Sequence, residues 1–236
     1  ELHRPHRKNA IIPPMLDELT AHVTAASGDP DVRAVVLCGS GGAFCSGLDL
    51  TEYNANPPPA WRATASSSVR QAHLALARCP HPVVVALERY AINGGAAFAL
   101  AGDLIVTGHD AWLQVAEVRI GMAAPMNLAW LAARYPLATV LQIVLSGNRY
   151  TGDDLLRLNI AHEVVDDNRV RTSCSGSSSG FSFFFLSNSL IFSIDLFLSF
   201  FFGSSLGFLC FLSFSFGNFL SSLYLCLCLS SCFSFG

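Results

Sequence analysis

The chain is 236 residues long, carries 14 Lys+Arg against 17 Asp+Glu, and has a formal net charge of −3. That length fits one domain, or one domain with an appendage, and a near-neutral balance argues against a nucleic-acid binder, which presents a basic surface. Hydrophobic residues make up 52% and charged residues 13%, but two compositions are joined end to end: 30 of the 31 charged residues fall in 1–171, and 16 of the 18 Phe fall in 181–235.

Residues 1–171 read as an α/β domain. Glu1–Leu2 is the stub of a strand. Pro13–Pro14 opens a helix in which Met15, Leu16, Leu19 and Val23 fall at helical spacing, and Gly28-Asp29-Pro30 ends it. Ala34–Cys38 is a short buried strand, followed by a tight turn at Gly39–Gly42. A Pro-rich loop around Asn54–Pro59 leads into a helix that runs to about Arg78. Pro82–Leu87 is the second strand, and Gly94–Gly95 opens a short helix of small residues, Ala96–Gly102. Strands follow at Leu104–Thr107 and Trp112–Val115, then helices at Met126–Arg134 and Ala138–Leu145. Thr151 and Asp154 have the spacing of a capping box before Leu155–Leu158, and His162–Val165 is a last strand. Alternation of strands and helices predicts a layered α/β fold.

Residues 173–236 hold 16 Phe, 19 Ser and 12 Leu, or 47 of 64 positions, and no basic residue. Neither helical nor strand periodicity is visible there. Phe181–Phe202 is long enough for a membrane span, but scattered Ser, the internal Asp195 and the lack of flanking Lys or Arg disfavour one. Five Cys at irregular spacing (174, 210, 226, 228, 232) make a poor disulfide framework. The favoured reading is a disordered or non-native segment, since Phe, Ser and Leu share pyrimidine-rich codons and a read-through intron or wrong frame gives this composition. The domain boundary is therefore set at 171/172. As the chain starts at Glu1 and not Met, its amino terminus is expected upstream.

Two strand-to-helix junctions carry the candidate chemistry: Ala43-Phe-Cys-Ser-Gly-Leu-Asp49 and Asn93-Gly-Gly-Ala96. Glycine at such a junction lets backbone and ligand approach closely, and two backbone N–H groups converging on one point form an oxyanion hole. Gly-rich turns after strands are common in α/β domains, so neither is specific alone. Cys38, Cys45 and Cys79 do not make a metal set.

Together, Ala43-Phe-Cys-Ser-Gly-Leu-Asp-Leu50 and Ala91-Ile-Asn-Gly-Gly-Ala-Ala-Phe-Ala-Leu-Ala-Gly-Asp103 resemble the two signatures of the enoyl-CoA hydratase/isomerase (crotonase) superfamily. Arg4-Pro5 with Asn9-Ala10, Ser146–Thr151 and Asn159–Val165 are similar to further family segments in the same order. The resemblance covers about residues 1–170 and implies a crotonase-type β/α spiral. It also implies an acyl-CoA thioester substrate whose carbonyl oxygen sits between the backbone N–H groups of Leu48 and Gly94, with Ser46, Gly47, Asp49, Leu50 and Gly95 lining the binding site. Asp49 itself reads equally as a capping residue, and Arg4, Arg7 and Lys8 are candidates for meeting CoA phosphates. No metal and no separate cofactor is implied, CoA arriving as part of the substrate.

Hydratases of the family use two Glu side chains. Here the first position is Ala97 and the second is Glu117. A single carboxylate suits a double-bond shift, in which one group removes a proton and returns it two carbons away. Ser46–Glu52 and Glu117–Pro125 look closest to Δ3,Δ2-enoyl-CoA isomerases of β-oxidation, with a hydratase or a truncated, non-catalytic relative as alternatives. From spacing alone, Glu117 also reads as a surface partner of Arg119. The resemblance implies homotrimers or hexamers, and a mitochondrial or peroxisomal setting in a eukaryote or the cytoplasm otherwise. The family usually has Gly where Arg89 stands, and an Arg there is expected to crowd the substrate channel. The helices that normally follow Val165 have no counterpart in the Phe/Ser/Leu segment.

Overall fold

The computed structural model describes residues 1–174; the segment read above as disordered or non-native lies, from residue 175, outside them. In chain order the elements are α1 (Pro13–Ser27), β1 (Val35–Leu37), α2 (Leu50–Tyr53), α3 (Ala65–Arg78), β2 (Val83–Leu87), β3 (Tyr90–Ile92), α4 (Gly94–Leu100), β4 (Leu104–Gly108), β5 (Trp112–Gln114), α5 (Pro125–Arg134), α6 (Leu137–Ser146), β6 (Arg149–Thr151), α7 (Gly152–Arg157) and β7 (Glu163–Val165). α1 begins at its two prolines because the first helical N–H groups need no partner and Pro presets φ. Thr151 and Asp154 form the expected capping box at the start of α7.

Four strands make a parallel sheet in the order β1-β2-β4-β7. All five residues of β2 are buried, as a parallel strand covered on both faces must be, which is why its sequence is an unbroken apolar run. A second, three-stranded sheet has the order β3-β5-β6, with β5 parallel to β3 and antiparallel to β6. Its strands are three residues long; β5 coincides with the strand expected at Trp112–Val115, whereas β3 and β6 are additions, defined by their pairing with β5. The Glu1–Leu2 stub is a single bridge, Leu2 to Gly39.

α1 and α3 pack against each other on one side. α4 runs through the middle with every residue from Gly95 to Leu100 buried, so its Ala-rich face is the condition for close packing. Cys174 is buried in a small cluster with Val84, Ala86, Val106 and Val170, three residues past the expected domain boundary. Among the described residues no helix is long and apolar enough to cross a membrane.

Candidate active site

The two Gly-containing junctions meet. Cys45 bridges Ala91, and Leu48 bridges Ile11. Ile11 N–H donates to Gly47 O at 2.8 Å and Asp49 N–H donates to Ile11 O at 2.9 Å. The groups flanking Leu48 thus face Ile11, which turns the Leu48 N–H to the other side. Among the described residues neither Leu48 N–H nor Gly94 N–H has an acceptor. A Cβ placed on Gly94 would lie 4.0 Å from Leu48 N and 3.2 Å from Ile11 Cδ1. A side chain at 94 would therefore fill the gap between the two donors.

Gly47 has φ +89°, and a Cβ there would stand 2.8 Å from Ile92 O. Only glycine meets both demands without strain. Gly95 serves packing: a Cβ on it would come within 2.5 Å of Cys45 O and 2.9 Å of Cys45 Sγ. The Cys45 thiol donates to Asn9 O at 3.1 Å, and burial pushes it up to about 12.

Glu117 opens the 3-10 turn that follows β5. The turn is tied back to the Asn93–Gly94 junction, since Ala116 N–H donates to Asn93 Oδ1 at 2.8 Å. Asn93 is itself held at φ +49° and ψ −113°, close to the first central position of a type II′ turn, where Gly, Asn and Asp predominate. Glu117 Oε1 accepts from Asn127 Nδ2 at 3.1 Å. The same nitrogen donates to Asn93 O, also at 3.1 Å. Glu117 Oε2 is buried and has no partner among the described residues. Burial pushes the carboxyl above its ordinary value, against the weaker pull of its own backbone N–H and the Asn127 amide. The alternative partner, Arg119, is turned away and donates to Asn148 Oδ1 at 3.1 Å. At position 97 the structure places a fully buried methyl group.

The other expected site residues fall in two groups. Ser46 is half-buried beside the gap, with its N–H donating to Lys8 O at 3.1 Å, and Leu50 is 59% exposed at the start of α2. Asp49 turns inward. Its carboxylate accepts from Arg7 Nη2 at 2.9 Å, Arg7 Nε at 3.1 Å and Arg4 Nη1 at 3.2 Å, and caps α2 through Glu52 N–H at 3.1 Å. Arg4 also reaches Glu52 at 2.6 Å. Arg4 and Arg7 are thus held by carboxylates of this chain. Arg89 is exposed, and its guanidinium lies 5.9 Å from the centre of the Tyr90 ring on the second sheet. The backbone φ of +58° at Arg89 is one that glycine adopts without strain. Asn127 was not singled out by the sequence: one Asn in the first turn of a helix carries no motif, and its role depends on what the fold brings to it.

Residues 1–174 match the family model described as enoyl-CoA hydratase/isomerase. The chain is 30% identical over 172 residues to an (E)-benzylidenesuccinyl-CoA hydratase from Thauera aromatica, covering 70% of this chain and 64% of that protein. A 1,2-epoxyphenylacetyl-CoA isomerase from Escherichia coli K12 is 28% identical over 170 residues, covering 70% and 65%. Among solved structures, an enoyl-CoA hydratase from Mycobacterium smegmatis superposes with a TM-score of 0.68 at 27% identity, covering 75% of this chain and 69% of that one. The chain spans just under two thirds of the length of the curated relatives it matches, and the architecture it shares with the solved structures is the crotonase-type α/β spiral.

Proposed function

The chain belongs to the enoyl-CoA hydratase/isomerase family, and from that premise we propose that it acts on an acyl-CoA thioester, moving the double bond of a 3-enoyl-CoA to the 2-position. The observation that carries this reading is the solitary carboxyl. Glu117, with Oε2 buried and unpartnered, is joined through one amide to the peptide of Gly94, while position 97 offers only a buried methyl.

The chemistry follows from these groups. As a carboxylate, Glu117 takes the proton from C2. The C–H electron pair moves into a C2=C3 bond, the former C3=C4 electrons move out to C4, and the charge is shared with the thioester oxygen. The N–H groups of Leu48 and Gly94 stabilise that oxygen, a contribution of the size of ~100-fold or more in rate per donor. Glu117, now the acid, delivers the proton to C4. No water is consumed and no second carboxyl is needed. Burial that raises the Glu117 carboxyl brings it closer to a working pH at which it both accepts and returns a proton.

A second reading, hydration of a 2-enoyl-CoA, is favoured by the hydratase names of several relatives. It requires another group to hold water where Ala97 stands. A coupled assay separates the two. The isomerase reading expects turnover of 3-enoyl-CoA, no hydration of 2-enoyl-CoA, and loss of activity in Glu117→Gln. Dominant hydration would sink it, and absence of both reactions in folded protein would favour a non-catalytic relative.

A further inference from the structure

Asn127 is 1% exposed and sits in the first turn of α5, directly behind the two functional halves of the site. Its amide nitrogen has two hydrogens and two acceptors: Asn93 O and Glu117 Oε1, each at 3.1 Å. This orientation is the only sensible one, because rotating the amide by 180° would press Oδ1 against both of those oxygens. Asn93 O is no ordinary carbonyl. It is the far end of the planar peptide unit whose other end is the Gly94 N–H. That carbonyl also accepts from Ala97 N–H at 3.0 Å; the Asn127 donation adds to this hold on the plane of the unit and polarises it further, making its N–H a stronger donor toward the gap.

The helix carrying Asn127 is itself anchored. Arg134, at the far end of α5, donates to Ala101 O at 3.1 Å and to Asp103 at 3.0 Å, beyond the end of α4. Trp130 Nε1 donates to the buried His73 at 3.0 Å. α5 is therefore clamped to the carboxy-terminal end of α4 and to α3, while Asn127 reaches the amino-terminal end of α4.

We propose that Asn127 is a positioning residue: its one amide holds the Gly94 donor peptide and the Glu117 carboxyl in register, so that the charge-stabilising and proton-moving halves face the same acyl carbons. This rests on the reading of Gly94 and Glu117 given above. Neither half needs Asn127 to exist, and Ala116 N–H on Asn93 Oδ1 already ties their backbones; what Asn127 adds is the placement of the Glu117 carboxyl itself, and misplacement of reacting groups by about 1 Å is enough for ~100-fold in rate.

The test uses the full chain with Asn127→Leu, which removes both donors, and Asn127→Asp, which removes them and sets a second carboxyl beside Glu117. With 3-enoyl-CoA the expected result is a kcat about 10- to 100-fold lower and a KM within about 3-fold. The acidic limb of the kcat–pH profile moves to higher pH in both variants, furthest in Asn127→Asp, where like charges oppose ionisation. Without substrate, 13C NMR of the Glu117 carboxyl should show its midpoint raised in both variants, and the Gly94 amide resonance should shift. The midpoint and amide resonance judge the proposal even if the parent turns over no acyl-CoA, in which case only the isomerase reading fails. A folded variant with unchanged kcat, pH profile, Glu117 midpoint and Gly94 resonance overturns it. So does a fall in melting temperature accompanied by a uniform loss of rate with no movement in pH. Asn127→Ala serves for Leu if that variant does not fold.

Discussion

Asp49, which follows Leu48 in the chain but points its carboxylate at Arg4 and Arg7, and Glu117 are pushed in opposite directions by their environments. The Asp49 side chain is only 2% exposed, yet Arg7 and Arg4, with the Glu52 N–H, hold it down at about 2. Glu117 is less deeply buried and is pushed up. The supply of charged partners separates them. Two guanidinium groups offset the desolvation of Asp49, whereas a neutral amide does not offset that of Glu117. The first arrangement locks the chain's opening segment onto α2, and the second leaves a carboxyl free to change state.

The difference can be broken one residue at a time. Glu117→Gln should lower turnover by roughly 100- to 10,000-fold, the range of a general acid–base group, with the fold retained by circular dichroism. Asp49→Asn leaves two guanidinium groups without their shared anion and should lower the melting temperature by about 5 °C. The kinetic pH profile set by Glu117 should stay where it is; if it moved with Asp49→Asn, the two carboxyls would not be independent.

pH should resolve the two groups by sign. Asp49 has its folded value below its unfolded one, so its contribution is present above pH ~4 and is lost as pH falls toward 2. His73 acts in the same sense over a higher window. Burial against Phe98 and Trp130 holds it down at about 3. The folded state therefore stays unprotonated while the unfolded chain takes up a proton below pH ~6.5, losing up to about 1.4 kcal/mol per pH unit. Denaturant titrations between pH 6.5 and 4 should show that slope, and His73→Gln should flatten it; a slope unchanged in the variant would assign it elsewhere. Glu117 has its folded value raised, so its contribution is present at low pH and lost as pH rises. The smallest effect follows: at pH 8 Glu117→Gln should melt about 1 °C above the parent, the reverse of Asp49→Asn. A melting temperature at or below the parent's would mean that burial of the Glu117 charge carries no strain.

Much of this was legible in the sequence where the signal was local. Pro13 and Gly28 bracket α1, the run Pro82–Leu87 marks the buried strand, and the capping box at Thr151 and Asp154 starts α7. Leu48, Gly94 and Glu117 come from the resemblance to the family's segments and not from spacing, and the structure sets the Leu48 segment and the Gly94 peptide together with Glu117 tied to the latter. What stayed hidden was tertiary. The strands Tyr90–Ile92 and Arg149–Thr151 are defined by pairing with β5 and not by their own pattern. Asp49 read ambiguously because its two arginines are 42 and 45 residues away in the chain. Asn127 was silent because an amide becomes informative only when its acceptors are known.

The tight seat of Gly95 against Cys45 has a consequence for measuring motion. A thiol held near 12 exists almost wholly as the unreactive protonated form, and it is sealed between its own segment, which carries the Leu48 N–H, and α4, which carries the Gly94 N–H. Alkylating reagents attack the thiolate, so Cys45 should label only when the 45–48 segment lifts from α4. Its labelling rate, read peptide by peptide in a mass spectrometer, is then a stopwatch for how often this seam opens, and an acyl-CoA that bridges the Leu48 and Gly94 sides of the seam should slow the clock.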